Sequence, residues 1–304
     1  MTWFKNATIF RLGDKPDAIQ LNEQLAKRPF QPCGGLDWFS EGWTPPAGHL
    51  EQPVFVTRGH MLLNLRREDK VLPAATIRAA VDAKVAEIEA KDHRKVGRKE
   101  KLALKEQVTD DLLPRAFTKP FRVSALISGG WLIADTGSSP RAEALVSKLR
   151  EALPPFPAAL PRTKTAAHAA MTDWLAAGNA PGAFELDSDA VLKDGGENGA
   201  EVRVSRIDLT SDEIRQHIAT GKQVTKLGLI WNEKIRFQLT DTLQLKRIQF
   251  LDVLQDEASQ AGDDRESLFE ATFILMSEEL GELVEALVEA LGGLEDSQQH
   301  KEAA

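Results

Sequence analysis

One cysteine, Cys33, stands in 304 residues. No internal disulfide can form, so a reducing cytoplasm is the expected setting. Nothing near Met1 joins a basic start to an apolar run of signal length. No uninterrupted apolar stretch approaches the roughly 20 residues that cross a bilayer, and even the apolar C-terminal segment is broken by glutamates, so a soluble protein with no membrane contact is expected. The histidines, His49, His60, His93, His168, His217 and His300, are scattered without metal-ligand spacing, which argues against zinc. Gly221-Lys222 is followed by Gln223, and Gln216 stands where a phosphate-cradling loop needs glycine. A P-loop is therefore absent, as is a dinucleotide fingerprint, and no cofactor is expected. Asp110, Asp111, Asp263 and Asp264 could hold magnesium only if folding gathered them, because adjacent acids on a helix point apart. A metal-dependent nuclease is kept only as an alternative, and no catalytic residue or metal ligand is assigned.

What the chain does have is a charge split. Its formal net charge is -8. Yet residues 58–122 hold sixteen Lys and Arg against ten Asp and Glu, whereas from Leu251 to the end fifteen acids face only Arg265 and Lys301. Such a run is commonly a solvated helix face, but local field governs partner choice, so a polyanion partner stays open.

Alternation marks strands over Trp3–Leu12, Val54–Thr57 and His60–Leu65, with an Arg58-Gly59 turn between the last two and an amphipathic helix over Ala18–Arg28. Phe30 to His49, rich in glycine and proline around Trp38 and Trp43, reads as an ordered loop. Ile77, Val81, Val85 and Ile88, then Leu104, Val108 and Leu112, set a helical period from Pro73 to Leu113. Gly97 breaks it into a helical hairpin whose tip carries the run Lys91 to Lys101. Strands over Val123–Ser128 and Trp131–Asp135 follow, then a helix capped at Ser139 with Pro140 at its first position, running to Leu153. Pro154, Pro155, Pro157 and Pro161 mark the expected domain boundary. Beyond it come a helix over Thr165–Ala177, a short segment near Phe184–Leu192, a turn signal at Asp194 to Gly199, and a strand over Glu201–Ile207. Thr210 and Glu213 have capping-box spacing for a helix to Thr220. Three strands, Val224–Trp231, Ile235–Leu239 and Leu243–Phe250, carry Lys226, Lys234, Arg236, Lys246 and Arg247, with Lys234, Arg236 and Gln238 on the alternate face. Sheets also carry lysine merely against aggregation. In the last helix Phe269, Phe273, Met276, Leu280, Val284, Leu287 and Leu291 share a stripe opposite Glu278, Glu282, Glu285 and Glu289.

These pieces give a chain of mixed strands and helices. The expected domains are a first α+β lobe of residues 1–72 plus 121–153, a helical hairpin arm over 73–120, and a second α+β lobe over 162–304 ending in a long helix.

Ordered motifs add a family resemblance. Trp3-Phe4-Lys5-Asn6, Pro32-Cys33-Gly34, Gly42-Trp43 with Pro45-Pro46, Leu72-Pro73 and Leu112-Leu113-Pro114-Arg115-Ala116-Phe117 resemble the RdgC family of recombination-associated proteins. So do Asp208-Leu209-Thr210-Ser211, Gly221-Lys222, Val224-Thr225-Lys226-Leu227, Trp231, Leu245-Lys246-Arg247 and Phe273-Ile274-Leu275-Met276. The resemblance runs from Trp3 to about Gly293. It implies a bacterial, cytoplasmic, nucleoid-associated, non-catalytic protein of α+β fold, mixed strands and helices in an elongated, multi-lobed protomer that forms a ring-shaped homodimer. Such a ring would encircle double-stranded DNA without sequence preference and restrain the RecA recombinase. An alternative is a scaffold acting on the recombinase directly through the acidic C-terminal face.

By the same resemblance the phosphate contacts would be Arg66, Arg67, Lys70, Arg115, Arg206, Lys222, Lys226, Lys246 and Arg247. Arg94, Lys95, Arg98 and Lys99 form a second rank, carried for their charge rather than by residue match. For closing the dimer, Phe117 or Phe121 would be the apolar anchor, with ordinary core packing the competing role for either. Pro120 leaves the register of the second aromatic open.

Overall fold

The computed structural model describes residues 3–195, 199–260 and 264–295. β1 (Asn6–Leu12) precedes α1 (Ala18–Ala26), which starts behind Asp17, whose carboxylate accepts from the Gln20 amide at 2.8 Å. The stretch expected to be only loop contains a strand, β2 (Phe39–Thr44). Its ladder to β4 supplies the order that its glycine-rich composition hides. β3 (Val54–Thr57) and β4 (His60–Val71) are joined through Arg58 and Gly59, both at positive φ, the backbone of a tight hairpin that follows the strand twist.

α2 (Ala74–Asp92) and α3 (Arg98–Leu112) form the expected hairpin. α2 ends where His93 turns left-handed, and Gly97 opens α3, so residues 93–97 make the tip. Ile77, Val81, Val85, Val96 and Val108 form a small core of their own. A 3-10 turn at Leu113–Arg115 leads into β5 (Phe117–Ser128), which begins earlier than the apolar run at Val123 suggests. Pro120 is tolerated inside it because β6 (Trp131–Ala134) pairs with β5 only from Ala125 onward, leaving an outer edge free at the proline.

α4 (Ser139–Ala152) takes Ser138 rather than Ser139 as its N-cap, with Pro140 inside the first turn. β7 (Ala158–Ala159) is a short addition to β1, and α5 (Ala167–Ala177) ends on left-handed Gly178. β8 (Phe184–Lys193) and β9 (Glu201–Val204) flank the turn signal, of which Gly196, Glu197 and Asn198 lie outside the described residues. α6 (Asp212–Ala219) lacks the expected capping box. Its N-cap is Ser211, while the Thr210 hydroxyl donates to Asp208 at 2.7 Å, completing a local turn that competes with the helix cap.

β10 (Gln223–Trp231), β11 (Ile235–Thr240) and β12 (Gln244–Phe250) are the three expected strands. α7 (Asp252–Gln260) and α8 (Arg265–Ala290) follow. The whole expected apolar stripe of α8 is buried.

The strands join in one sheet ordered β2-β4-β5-β6-β1-β12-β11-β10-β8-β9, with β3 added to β4. β1 is the seam, pairing antiparallel with β6 on one side and β12 on the other. Alternation then decides which faces need cover. On one face Ile9, Leu62, Leu126 and Ile133 continue into Leu227, Phe237 and Leu245, and α5 and α8 bury them in one core. On the other face Phe10, Leu63, Leu65, Ile127 and Leu132 pack against Leu21 and Leu25 of α1 and Leu145 and Leu149 of α4. That second core stops near β1. The fold is thus α+β, with helices on both faces of one half-sheet and a β10–β12 face that holds no residue of any core cluster.

Candidate nucleic-acid interface

The core-free face is where cations gather. In β10, Leu227 and Leu229 point into the core, so Lys226 points away, beside Thr240 of β11. Gln238 of β11 sits between Gly228 of β10 and Lys246 of β12, and Lys246 in turn faces Asn6 of β1. Arg236 lies beside Gln249 on the same face, and Arg203 of β9 is opposite Val191, which is opposite Lys226. A register shift between Arg236 and Gln238 coincides with Arg247 in left-handed backbone, an arrangement that turns a strand residue out of alternation.

Two acids of β8 organise the arginines. Asp187 lies 3.3 Å from Arg236, and Asp189 lies 4.0 Å from Arg247. Asp189 also accepts from the Ser205 hydroxyl at 2.5 Å and from the Arg206 backbone N–H at 3.3 Å, holding Arg206 at positive φ. Arg206 and Arg247 are both exposed. Lys226 and Lys246 are half-buried. The side of the face next to β1 is fixed by hydrogen bonds: Gln244 Nε2 donates to Thr8 at 3.2 Å and to Ser139 at 3.0 Å.

Lys234 does not join this face. Left-handed Asn232 and Glu233 turn the chain before β11, and the Lys234 ammonium reaches Glu279 of α8 on the core side. That hydrogen bond holds the Lys234 pKa above its ordinary value.

The other expected contacts lie elsewhere, and several heads are already engaged. Arg66 and Arg67, adjacent on β4, point to opposite faces. Arg66 binds Glu68 at 2.6 Å and covers the Phe30 ring, while Arg67 binds Asp69 at 2.8 Å and Glu41 at 3.3 Å over the Phe39 ring. Lys70 donates to the carbonyls of Gly34, Gly35 and Leu113 at 2.7–2.9 Å, pinning the glycine-rich loop to the base of the helical hairpin. Lys222, its side chain only 12 % exposed, is paired with Asp194. Arg115 is exposed in the 3-10 turn.

At the hairpin tip, Arg94 makes two 2.7 Å bonds to Glu100, which raise its pKa and lower that of Glu100. Lys95 binds Glu89, whose pKa is lowered by the Val96 amide first and Lys95 second. Arg98 and Lys99 are exposed beside Trp38, Ile77 and Leu102 along an apolar groove between α2 and α3.

The two aromatics also separate. Phe117 is 87 % exposed at the start of β5, whereas Phe121 packs on the first-half core beneath the Arg141 guanidinium at 4.5 Å. Of the candidate magnesium ligands, Asp111 pairs with Lys84 at 3.0 Å and Asp264 caps α8 through the amides of Glu266 and Ser267. Those amides lower the Asp264 pKa. Asp263 and His300 lie outside the described residues. Among the described residues, no group of three His, Cys, Asp or Glu is placed to hold a metal ion.

Sequence reasoning had singled out neither Asp187 nor Asp189. An alternating Asp187-Ser188-Asp189 in a strand opposite arginine-bearing strands is the signal that could have marked them.

A family model described as "Putative exonuclease, RdgC" matches residues 2–294. The chain belongs to the RdgC family. A recombination-associated protein RdgC of Laribacter hongkongensis is 55 % identical over 296 residues, covering 96 % of this chain and 98 % of the relative. The RdgC of Neisseria gonorrhoeae is 48 % identical over 298 residues, covering 97 % and 100 %. That of Janthinobacterium sp. is 40 % identical over 296 residues, covering 96 % and 98 %. These RdgC proteins are named for recombination. No helix among the described residues is long and apolar enough to cross a membrane.

Proposed function

We propose that this RdgC protein binds duplex DNA without sequence preference, laying the phosphates against the core-free sheet face. The carrying observation is the set of cations directed there, Lys226, Lys246, Arg236 and Arg203, with Arg206 and Arg247 beside them. Lysine and arginine on a flat polar face offer charge and reach to phosphates but no element that would enter a groove to read bases. Acting as a homodimer closed into a ring, the protein would retain DNA topologically and restrain RecA-dependent recombination on the nucleoid without catalysing a reaction. Phe117 supports self-association because it lies cross-strand from the exposed Val71, so the two form a contiguous apolar patch.

Fluorescence anisotropy with duplexes of unrelated sequence tests the DNA reading. Affinity is expected to be equal across sequences and, with six to ten phosphates contacted, to fall roughly 10³ to 10⁵-fold between about 50 and 200 mM salt. A flat salt response overturns it. For the dimer, Phe117→Ser is expected to shift sedimentation toward monomer and to remove the dependence of Tm on protein concentration, whereas Phe121→Ser lowers Tm at every concentration through lost packing.

The family description favours one further test. Labelled duplex incubated with protein in excess and magnesium or manganese is expected to stay intact; shortened product would make the protein an exonuclease.

A further inference from the structure

On the other side of the sheet from the basic face lies a polar cavity of about 820 Å³, between loop 46–49, strands β4 and β5, and the first turn of α8. Its size falls in the range of small-molecule sites. The cross-strand neighbours Asn64 and Ser124 line it, as do the exposed Arg122 and Arg265.

Asn64 is 5 % exposed, and its amide orientation is fixed: Nδ2 donates to the Pro46 carbonyl at 3.3 Å, so Oδ1 cannot take that place. Oδ1 is buried with no hydrogen-bond partner. A buried acceptor left unmet costs about 1–3 kcal/mol, so the cavity calls for a donor there. Asp135 lines the same space with one oxygen already accepting from the backbone N–H groups of Lys5 and Asn6. Burial pushes its pKa up, against the pull of those two backbone N–H groups.

The two guanidiniums, which share the lining with the Glu266 carboxylate, make the opposite demand, for an anion, and guanidinium forks suit a phosphate. His49, edge-on to Phe269 at 5.1 Å, adds an aromatic wall. The occupant must therefore carry an anionic group at one end and hydrogen-bond donors on a flat apolar body at the other. We propose that this cavity binds a nucleoside monophosphate unit, with its phosphate on Arg122 and Arg265 and a base N–H on Asn64 Oδ1.

The unit could be a free nucleotide or the 5′ end of a DNA strand. Calorimetric titration of the intact protein separates them, using deoxynucleoside and ribonucleoside monophosphates, inorganic phosphate, an unphosphorylated nucleoside, and a short 5′-phosphorylated single strand beside its unphosphorylated twin. Mononucleotides, the phosphorylated strand, or both are expected to bind more tightly than phosphate or nucleoside alone. Saturation by the strand only assigns the site to strand ends, and saturation by mononucleotides assigns it to free nucleotides; each upholds the proposal. Arg122→Ala and Arg265→Ala, both at exposed positions, are each expected to weaken binding by about tenfold or more. Lys226→Ala, on the other face, is expected to leave it unchanged. Asn64→Ala should remove the advantage of nucleotide over phosphate, but the arginine variants decide the matter if that buried change impairs folding. No heat with any nucleotide up to millimolar concentration overturns the proposal, as does equal affinity for inorganic phosphate or indifference to both arginine changes. None of these readouts depends on duplex binding by the basic face.

Discussion

Lysines that look alike in the sequence divide by what their ammonium groups touch. Lys70 satisfies three backbone carbonyls from two distant segments, so Lys70→Met is expected to destabilise the fold by about 1–3 kcal/mol, measured by urea denaturation. Its effect on the salt dependence of DNA binding should be nil. Lys226 and Lys246 give the reverse result. Each change to alanine is expected to leave Tm unchanged and to lower the slope of log affinity against log salt by about 0.9. His60 contributes a pH dependence. Its Nδ1 lies 2.9 Å from the Ser128 hydroxyl, and burial lowers its pKa below 6.5, with Glu278 opposing. Below 6.5 the unfolded chain therefore binds a proton that the folded chain refuses. This part of the stability is present above 6.5 and is lost as pH falls through the lowered folded value. Urea titrations at stepped pH on His60→Gln should show a shallower loss on the acid side than the parent. None of these residue distinctions is legible in sequence, because the partners of Lys70 lie 35 to 43 positions away.

At the scale of elements, much was legible. The four-residue spacing of Ile77, Val81 and Val85 marked α2, and alternation placed β10, β11 and β12 within a residue or two. β2 was hidden because Gly42 and the nearby prolines signal turns, whereas its order comes from pairing Phe39 to Thr44 with Asp69 to Asn64 of β4. Lys234 was misplaced because period two was carried through a turn whose positive φ values break it. The core-free face needed the third dimension: alternation separates two faces, but only the positions of α1 and α4 determine which of them stays bare. The start of α8 has a clear local cause, since Asp264 accepts from the amides of Glu266 and Ser267 at 2.8 and 2.9 Å. Asp264→Ala is expected to lower stability, measured by chemical denaturation, and the loss should shrink in acid as the carboxylate protonates.

Across the whole molecule, α8 ties the two half-sheets together. Its core includes Leu62, Leu126 and Ile133 from one side of the seam and Leu227, Phe237 and Leu245 from the other. Arg58 of the β3–β4 turn meets Glu278, and Lys234 of the β10–β11 turn meets Glu279, so neighbouring acids of one helix hold opposite halves. Leu280→Ala is expected to cost about 2–5 kcal/mol and to lower a single calorimetric transition rather than split it. The charge split also changes meaning at this scale. Ion pairing reaches both basic clusters, as in Arg94 with Glu100 and Lys84 with Asp111 in the early stretch and Arg203 with Glu201 and Arg236 with Asp187 in the later sheet, so the split is one of local excess rather than of free against paired charge.

The seam at β1 carries a consequence for synthesis. Asn6 pairs with Lys246 and Thr8 with Gln244, so one side of the strand made first receives its partner only near the end of the chain. During translation the β6 side of β1 can close early, while the other side offers unpaired N–H and C=O groups to any passing strand. A nascent protein stalled or cleaved before residue 244 would carry that open edge permanently, making truncated products of this gene candidates for aggregation or chaperone capture.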